Sequence, residues 1–378
     1  MPSFPVSGSG SCTPTTKTEQ PSTPASDSNL GQDLIENPRR PTYLELRRAE
    51  ADFRDDKARI HVVDLSGNVV KVIPNPDGHQ LLTTRLDLTC AATVSNSCRV
   101  LYPATGSIHI LPESPASVHL NEENLREPYT HFAFGRIATT GEYKVLRIFD
   151  RPSHHLANNE HQLFEVLTIN GSGAVHARWR ARRSHDDYVE GSSAIVVGEV
   201  VYFKLDSIYQ TLIEAGVNPG INPDCIISFD LESEEWRDVL RGPIGDIFFT
   251  DEYDDHLEDY RPLWSEITIA DLRGSLALAH YHNCHHVMDL WLLKDFDNGI
   301  WLKECRIQIE PIFPTIEWCV KALFMLDDGR IVIHFPETGL LFLHDPRTNT
   351  SARVEMRRLD ALAMYTRNLL SLQVGDMV

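Results

Sequence analysis

The segment Ile60-His-Val-Val-Asp-Leu-Ser-Gly-Asn-Val-Val-Lys-Val-Ile73 contains two runs of apolar, mostly β-branched residues on either side of the polar turn Ser66-Gly-Asn68. This pattern predicts a β-hairpin, because Val and Ile favour strands and Gly and Asn favour tight turns. The same pattern recurs in five more segments: Ser97–Leu111, Leu163–Trp179, Cys225–Val239, Val287–Cys305 and Leu340–Glu355. A hairpin that repeats along a chain is typical of a β-propeller, which is a closed ring of small sheets.

Further strand-forming runs lie between the hairpins: Leu86–Ala92, His131–Arg136, Tyr143–Phe149, Ala194–Lys204, Glu266–His282, Val320–Met325 and Arg330–Phe335. One hairpin and two flanking strands make a four-stranded blade. The sequence therefore predicts an all-β propeller of about six antiparallel blades, with five and seven as alternatives. Most hairpins start further apart than the ~40–50 residues of a compact blade, so most repeats carry an inserted loop.

The N-terminal part of the chain differs in composition from the rest. Residues 1–29 contain seven Ser, five Thr and five Pro. A segment with so few large apolar side chains cannot bury enough surface to offset its loss of conformational entropy, so we expect disorder over residues 1–36. We expect a linker over residues 37–56 and the propeller domain over residues 57–378.

The linker carries a helical pattern. Thr42 and Glu45 have the spacing of a capping box, in which the two side chains bond to the free N–H groups at a helix start. An apolar stripe follows at Leu44, Leu46, Ala49 and Phe53. Together these features predict one short helix over residues 42–55.

The composition excludes several partners. The formal net charge is −19, and an acidic surface repels phosphate backbones and anionic lipids, so we expect neither nucleic acid nor membrane as a partner and favour a basic protein. The seven cysteines are scattered without a Cys-x-x-Cys motif, and the start of the chain lacks a secretory signal pattern. We therefore expect buried thiols and a cytoplasmic or nuclear protein.

Three of the hairpins carry a tryptophan just after the turn, at Trp179, Trp236 and Trp301. One interpretation is a ring of aromatic side chains that stack on a ligand. The other, which we favour, is that each tryptophan fills the gap between neighbouring blades, because a large flat side chain buries the most area there.

Five long connections separate the predicted strands: Glu113–Thr130, Asp150–Gln162, Ala181–Ser193, Asp206–Asp224 and Gly242–Ser265. Such loops on a rigid ring are where recognition usually resides. The last contains the acidic segment 246–259, which could bind a basic peptide or could simply be solvated. The candidate protein-binding residues of this segment are Asp251, Glu252, Asp254, Asp255, Glu258 and Asp259.

The chain lacks the sequence motifs of phosphate-binding loops, serine hydrolases and zinc proteases, so we predict no catalytic residues and no cofactor. The best metal candidate is His280-Tyr-His-Asn-Cys-His-His286, followed by Asp289. On a strand, His280 and His282 would share one face, but the spacing matches no established zinc pattern, and a polar strand end explains it as well. Paired carboxylates for glycoside hydrolysis stay an open alternative, since the sequence does not show which acids face one another.

Several stretches of the chain resemble the F-box-associated domain of plant F-box proteins. They are Cys98-Arg-Val-Leu-Tyr-Pro-Ala-Thr-Gly106, Tyr143-Lys-Val-Leu-Arg-Ile148, Ile227-Ser-Phe-Asp-Leu-Glu-Ser-Glu-Glu-Trp-Arg237, Met288-Asp-Leu-Trp-Leu-Leu-Lys-Asp295 with Trp301-Leu-Lys-Glu-Cys305, and Leu326-Asp-Asp-Gly-Arg-Ile331. The resemblance covers about residues 57–358 and follows the family's order of motifs.

The resemblance implies a non-enzymatic receptor. In this family an N-terminal F-box docks on a Skp-type adaptor of a cullin-RING ubiquitin ligase, and the associated domain holds a target protein for ubiquitin transfer. Residues 1–36 lack the apolar helical periodicity that an F-box needs, so we expect the F-box to be missing. Two alternatives follow: a decoy or scaffold that binds targets outside the ligase, and a glycan-binding or glycan-active propeller.

Overall fold

A computed structural model of the chain describes fifteen ranges of residues: 42–47, 59–63, 69–74, 80–82, 85–92, 97–103, 105–120, 130–149, 161–169, 178–218, 220–244, 266–282, 285–309, 320–354 and 361–365. The predicted disordered tail and the acidic segment 246–259 lie outside them. Within these ranges the fold is all-β, as predicted, apart from the short α-helix α1 (Ile208–Glu214) and two 3-10 turns, Ser117–His119 and Gly191–Ser193. No helix in the described ranges is long and apolar enough to cross a membrane.

The strands form six sheets. The five-stranded closing sheet contains β1 (Thr42–Arg47), β2 (Arg59–Val63), β3 (Val69–Pro74), β5 (Arg85–Leu86) and β25 (Ala361–Tyr365). Blade 1 contains β4 (Gln80–Leu81), β6 (Thr89–Ala92), β7 (Cys98–Tyr102) and β8 (Ser107–Ile110). Blade 2 contains β9 (Thr130–Arg136), β10 (Tyr143–Phe149), β11 (Leu163–Ile169) and β12 (Arg180–Arg182).

The second half of the chain forms three more blades of the same kind. Blade 3 contains β13 (Ile195–Val197), β14 (Val200–Lys204), β15 (Ile226–Asp230) and β16 (Glu235–Trp236). Blade 4 contains β17 (Ile267–Leu272), β18 (Ser275–His282), β19 (Val287–Asp295) and β20 (Ile300–Gln308). Blade 5 contains β21 (Lys321–Met325), β22 (Ile331–Phe335), β23 (Leu340–Asp345) and β24 (Thr350–Arg353).

The blades are arranged as a propeller. The first strands of neighbouring blades contact one another, β9 with β13, β13 with β17 and β17 with β21, so they surround the central axis. The fourth strands are the most exposed, as expected for the outer rim; all four residues of β24 are exposed. The ring closes through the C-terminal strand β25, which pairs antiparallel with β1 and parallel with β5. In a ring of this kind each blade keeps a short inner edge, which the neighbouring blades protect.

All six predicted hairpins are antiparallel strand pairs. Five of them form the outer halves of the blades, and the first, β2–β3, lies in the closing sheet. The structure thus has five regular blades where about six were predicted. The count differs because the first hairpin joins strands from both ends of the chain in a larger, irregular sheet.

The predicted N-terminal helix is wrong where the structure describes it. Residues Thr42–Arg47 form strand β1. Leu44 and Leu46 also fit the period-2 alternation of a strand, and β1 gains backbone hydrogen-bonding partners on both sides, β2 and β25. The backbone pairing with these two strands outweighs the local helical pattern of the segment. Residues 48–56 of the predicted linker lie outside the described ranges.

The three tryptophans lie between blades, as favoured from the sequence. Each indole Nε1 donates a hydrogen bond to a carbonyl just beyond the last strand of the preceding blade: Trp179 to Pro112 at 2.6 Å, Trp236 to Arg183 at 2.7 Å and Trp301 to Arg241 at 2.8 Å. Each tryptophan therefore joins two blades.

The two faces of the ring differ in the connections that they carry. Because strands alternate in direction within each antiparallel blade, the connections from second to third strand and from one blade to the next share one face, which we call the loop face. The flanking strands place the ends of all five long connections on this loop face. The opposite turn face carries short turns, such as those at Gly141 and Gly329, whose φ angles of 73° and 93° favour glycine.

Blades 2 and 3 are held together on the turn face by a carboxylate with three cations. Glu234, in the turn between β15 and β16, has a φ angle of 60° and forms ion pairs with Lys144, Arg180 and Arg182 of blade 2. The Lys144 Nζ lies 2.9 Å from the carboxylate and also donates to the Leu231 carbonyl at 2.6 Å. These ion pairs hold the turn in place, although the positive φ angle of Glu234 is a strained backbone conformation for a residue other than glycine.

We expect the Glu234→Gln variant to be less stable than the unmodified chain by roughly 2 kcal/mol, between the values for exposed and buried ion pairs. The variant keeps the side-chain shape and removes the charge that the three cations share. Urea unfolding followed by circular dichroism measures the difference. Glu235→Gln is the matched control, since Glu235 is exposed. Equal unfolding midpoints for the two variants would contradict a role for the ion pairs.

Candidate functional site

A cavity of about 570 Å³ lies where blades 3, 4 and 5 meet. Its polar lining consists of Glu190, Ser192, Ser193, Lys204, Thr268 and Lys321, together with Ser207 and Gln210 from the connection that contains α1. Ile195, Ile269 and Leu323 contribute apolar surface. The cavity therefore offers both charged and apolar contacts to a ligand.

The strand topology places this cavity on the loop face, near the axis. Ile195 and Lys321 are the first residues of β13 and β21, and Thr268 is the second residue of β17. All three strands are the first of their blades, and their N-terminal ends point to the loop face. Lys204 is the last residue of β14, which runs in the opposite direction and ends on the same face.

Glu190 and Lys204 form an ion pair within the cavity wall, with Lys204 Nζ 3.0 Å from Glu190 Oε2. The Ser192 hydroxyl donates a hydrogen bond to the other carboxylate oxygen at 2.8 Å. Burial alone would raise the pKa of Glu190, but the charge and hydrogen bond of Lys204, the Ser192 hydroxyl and the charge of Lys321 lower it below its ordinary value. Glu190 is consequently a carboxylate at neutral pH.

The turn that carries Glu190 is fixed by close packing and by local hydrogen bonds. Ser193 Oγ donates to the Glu190 carbonyl at 2.6 Å and accepts from the Lys204 backbone N–H at 2.9 Å. A Cβ atom at Gly191 would lie 2.7 Å from the His131 ring of blade 2, so this position requires glycine. The wall of the cavity is thus a preformed structure, as binding sites on rigid scaffolds usually are.

Two further polar residues belong to the lining. The Thr268 hydroxyl is in a residue only 7% exposed, and it has no hydrogen-bond partner among the described residues. Lys321 is exposed, and no ion pair of this lysine occurs within the described ranges. With Lys204, Lys321 and Glu190 charged, the described lining carries one net positive charge in a protein whose formal net charge is −19.

No sequence motif indicates this site. Lys204, Thr268 and Lys321 lie on three different blades, and none belongs to a motif. The one available signal was positional, since Ala181–Ser193 and Asp206–Asp224 were recognised as long connections, and these two border the cavity. The acidic residues predicted to bind a protein, from Asp251 to Asp259, lie outside the described residues, and their role stays a prediction.

The histidines of the candidate metal motif do come together in blade 4. The rings of His280 and His282 lie 3.9 Å apart, centroid to centroid, and His282 Nε2 lies 3.4 Å from Asp289. Asp289 is engaged by cations, with hydrogen bonds from Arg306 at 2.7 and 2.8 Å and Lys303 Nζ at 2.7 Å. In the part of the chain that the structure describes, no three potential ligands converge on one point.

The charges around this histidine pair are set by neighbouring side chains. Burial and the neighbouring His280 lower the pKa of His282, although Asp289 acts in the opposite direction. Burial would raise the pKa of Asp289, but hydrogen bonds from Arg306 and Lys303 hold it well below its ordinary value. The positive charge that Asp289 needs is therefore already supplied by protein side chains.

The closed ring, the blade-joining tryptophans and the loop face define the chain as a β-propeller with its long connections on one face. The family described as "F-box associated beta propeller domain" matches residues 68–373, which is most of the chain. The chain belongs to this family, as its motifs suggested. No curated relative matches the chain.

Distant likenesses to solved propellers accompany the family match. A periplasmic gluconolactonase of Pseudomonas aeruginosa is 11% identical, with a TM-score of 0.43, and the match covers 86% of this chain and 98% of that one. An inactive virginiamycin B lyase of Staphylococcus aureus is 10% identical, with a TM-score of 0.40, over 85% and 87% of the two chains. At these identities and TM-scores, the likenesses carry no argument about activity.

Proposed function

We propose that this protein is a non-enzymatic receptor that holds a target protein, as the substrate-binding part of an SCF-type ubiquitin ligase does. The observation that carries the proposal is membership of the F-box-associated propeller family over residues 68–373. A propeller suits such a role, because a rigid ring holds variable loops in fixed positions. We propose that it works in the cytoplasm or the nucleus.

The geometry supports the loop face as the recognition surface. Five long connections start and end there, and the preformed cavity of about 570 Å³ opens among them. The turn face offers mainly short turns with hydrogen bonds inside the blades or between them. A target that docks on the loop face would reach the cavity and the described ends of these connections.

The acidic segment would contribute mainly to association with a basic surface of the target. Opposite charges steer two proteins together and raise the association rate, and like charges exclude acidic competitors. We expect neutralisation of Asp251, Glu252, Asp254 and Asp255 to Asn or Gln to slow association more than it speeds dissociation. An unchanged association rate would show that this segment does not contribute to target binding.

Affinity capture of the tagged full chain, with mass spectrometry of bound proteins, tests the proposal. We expect one target protein at near-stoichiometric amount. A Skp-type adaptor in the same eluate, and a target whose abundance falls when the chain is overproduced, would support ligase membership, since tethering makes ubiquitin transfer effectively intramolecular. A target that becomes more abundant would instead support a decoy. The absence of any specific protein would contradict the receptor proposal.

A further inference from the structure

Two cysteine side chains meet in the core of blade 1. Cys90 lies in β6 and Cys98 is the first residue of β7, and their Sγ atoms are 2.6 Å apart. A disulfide bond is about 2.05 Å long, so the two sulfurs already lie close to the bonding distance. Both residues are free thiols in this structure. The pair is therefore placed for a bond that has not yet formed.

The register of the two strands brings the sulfurs together. Cys90 lies opposite Val100 and Cys98 lies opposite Ala92, so the two cysteines occupy diagonal positions of an antiparallel pair. Residues opposite one another, and residues two apart on one strand, share a face of the sheet. Cys90 and Cys98 therefore point to the same side of blade 1, and a bond between them needs little movement of the backbone.

Burial keeps this pair reduced while the blade is closed. Cys90 is 0% exposed and Cys98 is 1% exposed, so an oxidant in solution does not reach the sulfurs in the closed blade. Burial raises the pKa of Cys90 well above its ordinary value, and the hydrogen bond and charge of Cys98 act in the same direction. Cys90 is consequently a thiol at neutral pH, and only the thiolate attacks an oxidant.

Blade 1 can expose the pair by local opening. Its inner strand β4 has only two residues, and β6 and β7 pair over four positions. Local opening of a lightly paired unit costs less free energy than unfolding of the whole ring. The described ranges hold two more cysteines, Cys225 next to β15 and Cys305 in β20, and these lie on different blades. They serve as internal controls for the reactivity of a buried or half-buried thiol.

We propose that Cys90 and Cys98 form a reversible disulfide when a small disulfide oxidant, such as oxidised glutathione, reaches them. The thiolate of one cysteine attacks a sulfur of the oxidant and displaces one glutathione thiolate. The thiolate of the other cysteine then attacks the protein sulfur of this mixed disulfide and displaces the second glutathione thiolate. The two protons of the cysteine thiols end on the two glutathione thiols. The protein is oxidised by two electrons, and the glutathione disulfide is reduced by the same two.

The position of this disulfide links it to the loop face. Strands β6 and β7 are the second and third strands of blade 1, so the connection between them lies on the loop face. The bond would close the base of that connection. In a reducing compartment, excess glutathione returns such a disulfide to two thiols, so the bond is a response to oxidant and not a permanent part of the fold. This inference does not depend on the proposed receptor function.

Peptide mapping without reductant tests the proposal. The full chain is incubated with oxidised glutathione, its remaining thiols are blocked with N-ethylmaleimide in denaturant, and the product is digested with trypsin. Cleavage after Arg85 and after Arg99 releases one peptide, residues 86–99, which contains both cysteines. We expect this peptide to carry neither maleimide nor glutathione, and the peptides of Cys225 and Cys305 to carry maleimide. Maleimide or glutathione on both cysteines of peptide 86–99 would overturn the proposal.

Thermal unfolding shows whether the folded blade accommodates the bond. We expect the oxidised chain to melt roughly 3–6 °C above the reduced chain, because a disulfide restricts the unfolded state. Oxidant should leave the melting temperature of Cys90→Ser unchanged and should raise that of the matched control Cys225→Ser as it raises that of the unmodified chain. Each comparison is made within one variant, so any loss of stability from the substitution itself cancels. An unmodified chain whose melting temperature does not rise on oxidation would overturn the proposal.

Discussion

Replacement of Glu165 by Gln is expected to destabilise the propeller by about 3–5 kcal/mol, the usual cost of removing one partner from a buried ion pair. The side chains of Glu165 and Arg147 are both 0% exposed. Arg147 donates two hydrogen bonds to Glu165 Oε2, one of them from Nε at 3.1 Å. The amide of the variant would leave the guanidinium charge buried without a counter-charge.

The loss would extend beyond one ion pair, because Glu165 also anchors the connection between blades 1 and 2. Its other oxygen accepts a hydrogen bond from the Ala116 backbone N–H at 2.8 Å and lies 2.7 Å from His119 Nδ1. Arg147 in turn donates to the Glu113 carbonyl at 3.0 Å, and its guanidinium lies 4.0 Å from the centre of the Trp179 ring. A segment of the loop face is therefore held in place by a charge cluster inside blade 2.

The pH dependence of stability provides a second measurement on the same variant. Burial alone would raise the pKa of Glu165, but His119, Arg147 and the Ala116 N–H together lower it below its ordinary value. A carboxyl group with a lowered folded-state pKa stabilises the fold above its unfolded pKa, and this contribution is lost as the pH falls through the folded pKa. We expect the unmodified chain to lose stability on acidification more steeply than Glu165→Gln does.

Urea unfolding at neutral pH and in acid, with Asp238→Asn as the control, measures both effects. Asp238 is an exposed carboxylate, so its replacement should change little at either pH. A Glu165→Gln variant within about 1 kcal/mol of the control at neutral pH would contradict the buried ion pair.

Truncation of Trp236 to Ala is the second change with a large expected effect, about 3–5 kcal/mol. The indole packs against the rings of Phe164, Phe203 and Phe229, with centroids 4.8, 6.2 and 5.0 Å away. It also donates to the Arg183 carbonyl of the preceding blade at 2.7 Å. Removing it would leave a cavity between blades 2 and 3 and an unpaired carbonyl at the rim.

The variant Trp236→Phe separates packing from hydrogen bonding. It keeps a large aromatic ring and loses the N–H donor. We therefore expect it to lower the free energy of unfolding by about 1 kcal/mol, the usual contribution of one hydrogen bond, which is less than the loss in Trp236→Ala. Thermal unfolding of both variants beside the unmodified chain measures the two contributions. If Trp236→Ala unfolds at the temperature of the unmodified chain, the tryptophan does not join the blades.

The fold was predictable because each blade repeats a local signal. The hairpin of Cys225–Val239 can be recognised from its two apolar runs and its turn alone. The tryptophan after the turn marks the position that contacts the preceding blade. Closure was not predictable in the same way. Strand β25 pairs with β1, at the opposite end of the chain, and a partner so distant leaves no mark in the local pattern that made Thr42–Arg47 look helical.

The candidate site was even less predictable than ring closure, because it depends on contacts between residues far apart in the sequence. The sequence reveals long connections but not which side chains the ring brings together, so Lys204, Thr268 and Lys321 gave no signal of a common cavity. Conversely, His280 and His282 were correctly placed on one strand face, because strand alternation is local. The pattern did not show that Arg306 and Lys303 of the neighbouring strand form ion pairs with Asp289.

Hydrogen–deuterium exchange of the full chain, alone and with its captured target, tests most directly whether the loop face is the recognition surface. We expect the target to slow exchange in the connections around the cavity, including residues 188–194 and 205–212, and to leave the turns at Gly141, Glu234 and Gly329 unchanged. Slower exchange confined to those turns would place the target on the turn face and show that the loop face is not the recognition surface.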